Sequence, residues 1–173
     1  MAGLNVDLPY PNTSDLGCDE CSIRIISPAY AGGNSEMTAI LQYLYHAVHF
    51  DSLGNKKFAR ILRDIAISEM HHLDLLAEMI CAMGASPVYS ACPPCLCDFY
   101  SARHVSYSCT PQRMLMDDIN GERAAIEGYE RMLCKLCNEQ AGAIISRIIL
   151  DEKLHLDTLK CMLDELVCKK RER

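Results

Sequence analysis

Four long segments of the chain show the spacing of apolar and polar residues that is typical of amphipathic helices. Local signals mark their ends. Ser27-Pro28 and Thr110-Pro111 each place an N-cap residue before a proline in a first helical turn, and Gly84 follows another segment ahead of Pro87. The pattern predicts four helices, at residues 28–51, 55–83, 111–137 and 140–168.

The connections between these segments indicate how the helices are arranged. Short links join the first helix to the second and the third to the fourth, so each pair is expected to form an antiparallel hairpin. Residues 85–110 contain three prolines and are unsuited to a helix, but they are long enough to cross a bundle of about 40 Å. We therefore expect an all-α four-helix bundle at 28–168, with two antiparallel helix hairpins joined by a long crossover loop at 85–110. An N-terminal arm at 1–27 precedes the bundle, and a basic tail at 169–173 follows it.

The sequence also repeats itself between the two predicted hairpins. Each half carries one Glu-x-x-His tetrad, and a lone Glu precedes the tetrad by 33 residues in the first half and by 30 in the second. Further residues match at the same offsets, which makes a chance coincidence of spacing improbable. The matched pairs are Glu36/Glu122, Ala39/Ala125, Ile40/Ile126, Tyr43/Tyr129, Glu69/Glu152 and His72/His155. The repeat predicts two helix pairs related by a pseudo-twofold axis.

The repeated acidic and histidine residues are those that bind a pair of divalent metal ions. Residues three apart lie on one face of a helix, so each tetrad presents a carboxylate beside an imidazole. Four carboxylates in one core would have to take up protons or bind cations, and carboxylate with imidazole suits Fe²⁺ or Mn²⁺. The alternative is that these are ordinary helix-surface residues. We predict a site for two Fe or two Mn ions, with Glu69 and Glu152 bridging them, formed by Glu36, Glu69, His72, Glu122, Glu152 and His155.

Other polar residues near these positions are candidates for a supporting role. Tyr43 and Tyr129 lie seven residues after the lone Glu, two turns along the same face, and are expected to donate hydrogen bonds to metal-bound carboxylates or to terminate a stray radical. The alternative for both is core packing with the hydroxyl satisfied elsewhere. Asp74 and Asp157 could orient an imidazole on a facing helix, or lie on a solvated face. The remaining histidines are expected at surface or satisfied core positions, and Glu127 and Glu130 off the Glu122 face; these histidines are His46, His49, His71 and His104.

Composition limits the class of protein. The 173 residues fit one globular domain, and a net charge of −6 argues against nucleic-acid binding. The sequence shows neither a secretory signal nor a run of about twenty apolar residues, so the expected location is cytoplasmic.

Eleven cysteines are many for such a protein. Two Cys-x-x-Cys pairs in loops could form a four-thiolate site for Zn or Fe, if the N-terminal arm folds against the crossover; these residues are Cys18, Cys21, Cys92 and Cys95. The alternative is that they are reduced thiols without a metal. Within or near the predicted helices, small buried hydrophobic positions explain Cys81, Cys134, Cys137 and Cys161.

The motifs together resemble a known family. With Glu36-x-x-Ala39-x-x-Gln42-Tyr43, Glu69-x-x-His72, Glu122 and Glu152-x-x-His155, the chain is similar to the ferritin-like superfamily, in its rubrerythrin, bacterioferritin and manganese-catalase branch. The resemblance covers about 28–168. Ala125 stands where rubrerythrins typically bear an extra Glu, and their rubredoxin domain has no counterpart in this sequence. We therefore expect a stand-alone, symmetric di-metal module.

The resemblance implies a function in oxidative stress. The chain would be an oxidoreductase acting on hydrogen peroxide or dioxygen, either a rubrerythrin-like peroxidase with a rubredoxin-like electron donor or a manganese catalase. The alternative is a ferroxidase and iron-storage protein of bacterioferritin type, and a third reading is a plain interaction module with no metal. In the first two cases a homo-oligomer, dimer or larger, is expected.

Overall fold

Five α-helices form the regular structure of the computed structural model, which describes residues 3–93 and 95–171, with side chains up to residue 168. The helices are α1 (Glu20–Ala31), α2 (Glu36–Ser52), α3 (Lys56–Ala82), α4 (Pro111–Leu133) and α5 (Glu139–Arg171). Within the described ranges there is no β-strand, only one isolated bridge between Ser90 and Phe99. The predicted basic tail at 169–173 lies outside the residues whose side chains are described.

Helices α2–α5 form the predicted four-helix bundle. A three-residue turn containing Gly54, at φ +80°, reverses the chain between α2 and α3, and residues 134–138 do so between α4 and α5. Residues 83–110 then carry the chain from one hairpin to the other, with a short 3-10 turn at Ala102–His104. The prediction of an all-α bundle with two hairpins and one crossover is therefore confirmed.

The predicted first helix at 28–51 is wrong at its start. The chain forms two helices there, and Asp19 rather than Ser27 caps the first, with Asp19 Oδ1 accepting from Ser22 N at 2.9 Å. Helix α1 runs through Pro28, which costs it one main-chain hydrogen bond. It ends at Gly32, where an added Cβ would lie 2.5 Å from the Pro28 carbonyl oxygen. Ser35 then caps α2, so Glu36 is the first residue of that helix.

The predicted third helix is four residues too long. It begins at Pro111, as predicted, although the Thr110 side chain makes no cap hydrogen bond, and it ends at Leu133 instead of residue 137. Asn138 competes with continuation of the helix, because its side-chain oxygen accepts from Ala141 N at 3.0 Å and starts α5. Cys134 and Cys137 therefore lie in the link between α4 and α5.

The expectation that four helical cysteines are small buried residues is also wrong. Cys134 and Cys137 are exposed in the link. Cys81 and Cys161 are helical but exposed, since each adjoins an inward-facing residue, Ile80 or Met162, and consecutive helical positions point in different directions.

Two apolar clusters fill the bundle on either side of a polar layer. One packs α1 against the C-terminal part of α3 and the start of α5, with Ile26, Leu76 and Ile148 among its members. The other packs α2 against the N-terminal parts of α3 and α4 and the end of α5, and includes Phe58 and Leu115. The Glu and His residues of the tetrads lie between these clusters along α3 and α5. No described helix is long and apolar enough to cross a membrane.

Candidate metal centre

The six predicted ligands come together in the middle of the bundle. Their solvent exposure is 5% or less, which is unusual for glutamates without partners. Their oxygen and nitrogen atoms form two groups, and within each group four candidate ligand atoms lie within 4.8 Å of one another. One group contains Glu36 and His72, the other contains Glu122 and His155, and Glu69 and Glu152 belong to both.

The position of each of these residues on its helix directs its side chain into the cluster. Glu69 and His72 lie one turn apart on α3, and Glu152 and His155 do the same on α5. Glu36 projects from the first turn of α2 and Glu122 from the middle of α4. Each hairpin therefore supplies one lone carboxylate and one carboxylate–imidazole pair, as the repeat in the sequence predicts.

Both imidazole rings turn the same nitrogen toward the carboxylates. His72 Nδ1 lies 2.9 Å from Glu69 Oε2 and 3.2 Å from Glu152 Oε1. His155 Nδ1 lies 2.9 Å from Glu69 Oε1 and 3.4 Å from Glu152 Oε2. The Nε2 atoms point away from the cluster, so Nδ1 is the nitrogen that each ring offers to a metal ion.

The pKa values of the cluster residues indicate which protons the metal ions would replace. Burial, and then the charges of Glu69 and Glu152, raise the pKa of Glu36 and that of Glu122 well above the usual value. Burial would lower the pKa of His72 and His155, but contacts with the surrounding carboxylates outweigh it and raise both pKa values well above normal. Burial likewise would raise the pKa of Glu69, yet the two imidazolium charges lower it. In the absence of metal, protons held by this cluster offset its negative charge.

The donor set fits two divalent ions. Three buried atoms of the cluster, Glu69 Oε1, Glu152 Oε1 and His155 Nδ1, face one another or His72 at ion-pair distance but form no well-aligned hydrogen bond among the described residues. Buried polar atoms without well-aligned hydrogen bonds are costly unless a ligand completes them. Two M²⁺ ions would balance four carboxylates, and oxygen with imidazole nitrogen suits Fe²⁺ or Mn²⁺.

Two buried tyrosines connect the halves across the cluster. The Tyr43 hydroxyl donates to Glu122 Oε1, and the Tyr129 hydroxyl donates to Glu36 Oε1. Each tyrosine thus serves the lone Glu of the opposite half. Burial, followed by the charge of the bonded Glu, raises the pKa of both phenols, which keeps them protonated donors.

Comparisons with known proteins show the family of this chain. The ferritin-like domain family matches residues 33–167. Two sequence relatives are bacterioferritins. The one from Streptomyces coelicolor is 30% identical over 134 residues, covering 75% of this chain and 74% of the relative. The one from Desulfovibrio desulfuricans is 30% identical over 138 residues, covering 78% and 69%.

The chain belongs to the ferritin-like family. Among solved structures, the manganese catalase KatB from Anabaena matches 94% of this chain and 80% of its own, with a TM-score of 0.82 at 19% identity. A bacterioferritin from Rhodobacter capsulatus matches 84% and 85%, with a TM-score of 0.68 at 26% identity. At 19% identity, the likeness to the catalase shows the fold alone. These findings support a ferritin-like di-metal protein.

Asp74 and Asp157 do not orient the imidazoles of this ferritin-like bundle. Both are exposed, and Asp157 contacts Lys160 at 2.9 Å. Two residues after a ligand, a helical side chain points away from the ligand's face. The carboxylate next to His72 is instead Asp151, whose Oδ2 lies 3.2 Å from His72 Nε2 and 2.8 Å from Arg147 Nη1. Sequence reasoning missed Asp151, although its position directly before Glu152 was visible.

The other histidines and acidic residues lie outside the cluster. His46 is fully buried and its Nδ1 lies 2.8 Å from Asp118 Oδ1, so it is a core histidine paired on one side. The predicted surface positions hold for His71 and His104, which are exposed, while His49 is half-buried against Tyr45. Glu127 and Glu130 are exposed and form ion pairs with Arg131 and Lys153.

The cysteines do not join the cluster either. Among the described residues, no group of three or more candidate metal ligands contains a cysteine. Cys18 and Cys21 flank the start of α1, whereas Cys92 and Cys95 lie in the crossover. Cys92 Sγ is 3.3 Å from Cys97 Sγ, a pair that the Cys-x-x-Cys spacing does not predict. A four-thiolate site thus remains a prediction from spacing.

A cleft leads from the surface between α2 and α4 to the carboxylates. Its volume is about 740 Å³, and it is lined at its inner end by Glu36, Glu69, Glu122 and Glu152. Small residues of α4, Gly121, Ala125 and Gly128, form part of its wall. Ala125, where rubrerythrins typically carry an extra Glu, therefore places only a methyl group beside the path to the cluster.

Proposed function

We propose that this protein is a di-iron or di-manganese oxidoreductase acting on hydrogen peroxide or dioxygen. The observation that carries the proposal is the closed set of oxygen and nitrogen donors, shared between two overlapping groups and reached by an open cleft. A purely structural polar cluster would not benefit from three buried atoms that form no well-aligned hydrogen bond among the described residues, or from a cleft leading to them.

The residues divide naturally between two ions. Glu36 and His72 would hold one ion, Glu122 and His155 the other, and Glu69 and Glu152 would reach both. When bound, the pair of ions supplies the electron-accepting and electron-donating chemistry that O–O compounds require. The protein contributes ligand position, charge balance and control of access.

The tyrosines hold protons at defined atoms beside this chemistry. The Tyr43 phenol keeps its proton directed at Glu122, and the Tyr129 phenol does the same at Glu36. These hydrogen bonds fix the two lone carboxylates, each of which would otherwise be free to turn about its side-chain torsions. They also keep a protonated group near the substrate without adding charge to the core.

The cleft determines which molecules reach the cluster. Its inner end is polar, and the wall formed by α4 includes the small residues Gly121, Ala125 and Gly128, so a small hydrophilic molecule can pass. Peroxide and dioxygen are both far smaller than the cleft. The excess width leaves room for solvent to deliver and remove protons.

Electron supply separates the two enzymatic forms of the proposal. A peroxidase needs an external donor, for which a rubredoxin-like protein is our candidate, whereas a catalase obtains electrons from a second peroxide molecule. The structural likeness to a manganese catalase supports testing the second form first, although it concerns the fold alone.

The cytoplasmic location also remains a prediction.

A specific observation favours a second candidate, a ferroxidase and iron-storage protein. The sequence relatives at 30% identity, covering about three-quarters of the chain, are bacterioferritins. Both candidates would use the same metal site. A storage protein requires a hollow shell of many subunits, so native mass distinguishes them.

A homo-oligomer is part of either proposal. Leu41, Leu44 and Val48 lie along one side of α2 and are 36%, 38% and 62% exposed. Such a stripe on a helix is typical of a surface that another chain covers. Sedimentation or native mass spectrometry would measure whether the assembly is a dimer, a larger shell or a monomer; a monomer would contradict this part of the proposal.

The activity test uses protein stripped of metal and reloaded with Fe²⁺ or Mn²⁺. We expect oxygen release from peroxide without a reductant, peroxide consumption with an artificial electron donor, or Fe²⁺ oxidation by dioxygen, and expect Glu69→Gln to abolish it. Glu127→Gln is the matched control, because Glu127 is an exposed glutamate of α4 that lies outside the cluster and pairs with Arg131. Metal-loaded protein that performs none of these reactions, or equal activity in Glu69→Gln, would contradict the proposal.

A further inference from the structure

We propose that the leading segment, residues 3–10, is a positioning element of the metal centre that holds the outward nitrogen of both histidine ligands. It contacts His155 through a main-chain carbonyl, and it contacts His72 both through Asp151 and through the Tyr10 hydroxyl. The inference rests on the proposed metal site but not on the reaction performed there. The segment lies before the region that the ferritin-like family covers, residues 33–167.

The contact with His155 is made by the main chain. His155 Nε2 lies 2.8 Å from the carbonyl oxygen of Leu4. A carbonyl oxygen can only accept a hydrogen bond, so the proton of a neutral His155 ring must reside on Nε2. The lone pair is then on Nδ1, the nitrogen that faces Glu69 and Glu152. The leading segment thus selects the tautomer that can bind a metal ion.

The contact with His72 is made mainly through the carboxylate of Asp151, beside a longer direct contact of 3.4 Å between the Tyr10 hydroxyl and His72 Nε2. Asp151 Oδ2 lies 3.2 Å from His72 Nε2, so the carboxylate plays for His72 the part that the Leu4 carbonyl plays for His155. Two donors from the leading segment orient Asp151. Val6 N donates to Oδ1 at 2.7 Å, and the Tyr10 hydroxyl donates to Oδ2.

Independent contacts fix the leading segment on α3 and α5. Leu4 N donates to the Asp64 carbonyl oxygen at 3.1 Å. The buried guanidinium of Arg147 donates to the carbonyl oxygens of Val6 and Leu8, at 2.7 and 2.9 Å from Nη2. It also lies 4.2 Å from the centre of the Tyr10 ring. Arg147 therefore binds the segment and, through Nη1, the same Asp151 that the segment orients.

The need for the segment follows from a difference between the two halves. Ser68 occupies the position in α3 that Asp151 occupies in α5, directly before the Glu of the tetrad. The buried Ser68 hydroxyl has no hydrogen-bond partner among the described residues, and it does not serve His155. The Leu4 carbonyl supplies the acceptor that the first half lacks.

The close approach depends on Gly3. An added Cβ at Gly3 would lie 2.9 Å from Ser68 Oγ and 3.2 Å from Ser68 N. A larger residue would therefore push the segment away from α3 at the residue adjoining Leu4. Substitution of Gly3 should therefore disturb the contact with His155, and substitution of Tyr10 the contact with His72.

The test compares Gly3→Val, Tyr10→Phe and the control Tyr107→Phe. Tyr107 is an exposed tyrosine of the crossover whose hydroxyl contacts only the Ala102 carbonyl in the structure. Metal-free protein is titrated with Mn²⁺ and Co²⁺ against a chelator, and the thermal midpoint of each metal-free variant is measured alongside. A Zn²⁺-loaded sample reports, by NMR, the tautomer of each histidine and the exchange of its Nε2 proton.

We expect Gly3→Val and Tyr10→Phe each to weaken one of the two binding steps by about tenfold or more, as for other residues that orient metal ligands. Gly3→Val should speed exchange of the His155 Nε2 proton, and Tyr10→Phe that of His72, while Tyr107→Phe matches the wild type. Unchanged affinities and unchanged proton exchange in both variants would overturn the inference, even if their thermal midpoints fell. Should Gly3→Val fail to fold, Tyr10→Phe, which loses only one oxygen, decides alone. If the wild-type chain binds no metal, the metal-site proposal fails, a result that differs from variants binding as well as the wild type.

Discussion

In the first half of the bundle the residue before the Glu-x-x-His tetrad is Ser68, and in the second half it is Asp151. Both halves present the same ligands at the same helical spacing, and each tyrosine bonds the lone Glu of the other half. Behind the ligands the halves differ, because a side-chain carboxylate supports His72 whereas a main-chain carbonyl supports His155.

The difference shows which parts of the site the repeat constrains. Atoms that would touch the ions have to satisfy one coordination requirement, so both halves retain the same residues. Atoms that only fix a histidine ring can come from any part of the chain that offers an acceptor. The leading segment fills that role on one side, and Asp151 on the other.

The largest effect is expected where the two halves share a ligand. Glu69 belongs to both candidate ion groups, whereas Glu36 and Glu122 each belong to one. We predict that Glu69→Ala abolishes binding of both ions and that Glu36→Ala or Glu122→Ala leaves one. Metal analysis after equilibration with Mn²⁺ would show about zero, one and one ion per chain. Equal loss in all three variants would mean that the ions are not independent.

Substituting Asp151 and Ser68, the two residues that differ between the halves, should change metal affinity by different amounts. Asp151→Ala removes the acceptor for His72 and leaves the buried charge of Arg147 without its carboxylate partner. We predict about 10- to 100-fold weaker binding of one ion. Ser68→Ala removes an oxygen that has no hydrogen-bond partner in the described part of the chain, so metal affinity should not change and stability should not fall. Chelator competition measures both, and a similar loss in the two variants would contradict the proposed difference.

A change in pH should alter metal affinity in both halves alike. The pKa values of Glu36, Glu122, His72 and His155 are raised in the metal-free fold, by burial and neighbouring carboxylates for the glutamates and by contacts with carboxylates for the histidines. Metal must displace these protons, so affinity should rise with pH, by about tenfold per pH unit for each proton released. Proton release during titration in weakly buffered solution counts them. Affinity independent of pH would contradict the raised values.

The same shifts predict an opposite trend for the stability of metal-free protein. A group whose pKa is raised on folding stabilises the fold below its unfolded pKa, and this contribution is lost as pH rises through the folded value. Above the unfolded histidine pKa of about 6.5, the free energy of unfolding of metal-free protein should therefore fall with pH. Denaturant unfolding at several pH values, with and without Mn²⁺, measures it. Metal-free stability that rises with pH would be the contrary result.

The smallest predicted effect concerns the tyrosine pair, which is symmetric. Tyr43→Phe and Tyr129→Phe each remove one hydrogen bond to a lone Glu and leave the ring in place. We expect each variant to lose about 1 kcal/mol of metal-binding free energy, which is about fivefold in affinity. The loss should be nearly the same in the two variants. A large difference between the two variants would show that the asymmetry extends to the lone glutamates.

The sequence was sufficient for the bundle and for the convergence of the ligands, because both depend on local helical spacing. The spacing of apolar residues does not show the break between α1 and α2, which comes from the C-cap at Gly32 and from the side chain of Ser35, the N-cap of α2. Of the two readings for Asp74 and Asp157, the solvated helix face is the one that the structure supports, and the carboxylate that faces His72 is Asp151. The contact of Leu4 with His155 spans most of the chain, and no local pattern could have predicted it.

The central claim is that four glutamates and two histidines hold two metal ions. The most direct measurement is anomalous scattering at the iron and manganese edges, from crystals of protein purified without chelator. The account predicts two peaks per chain between Glu69 and Glu152, about 3.5–4 Å apart, each near one histidine Nδ1. The same maps would show whether any cysteine pair holds a metal. A cluster without a peak, in crystals soaked with either ion, would contradict the account.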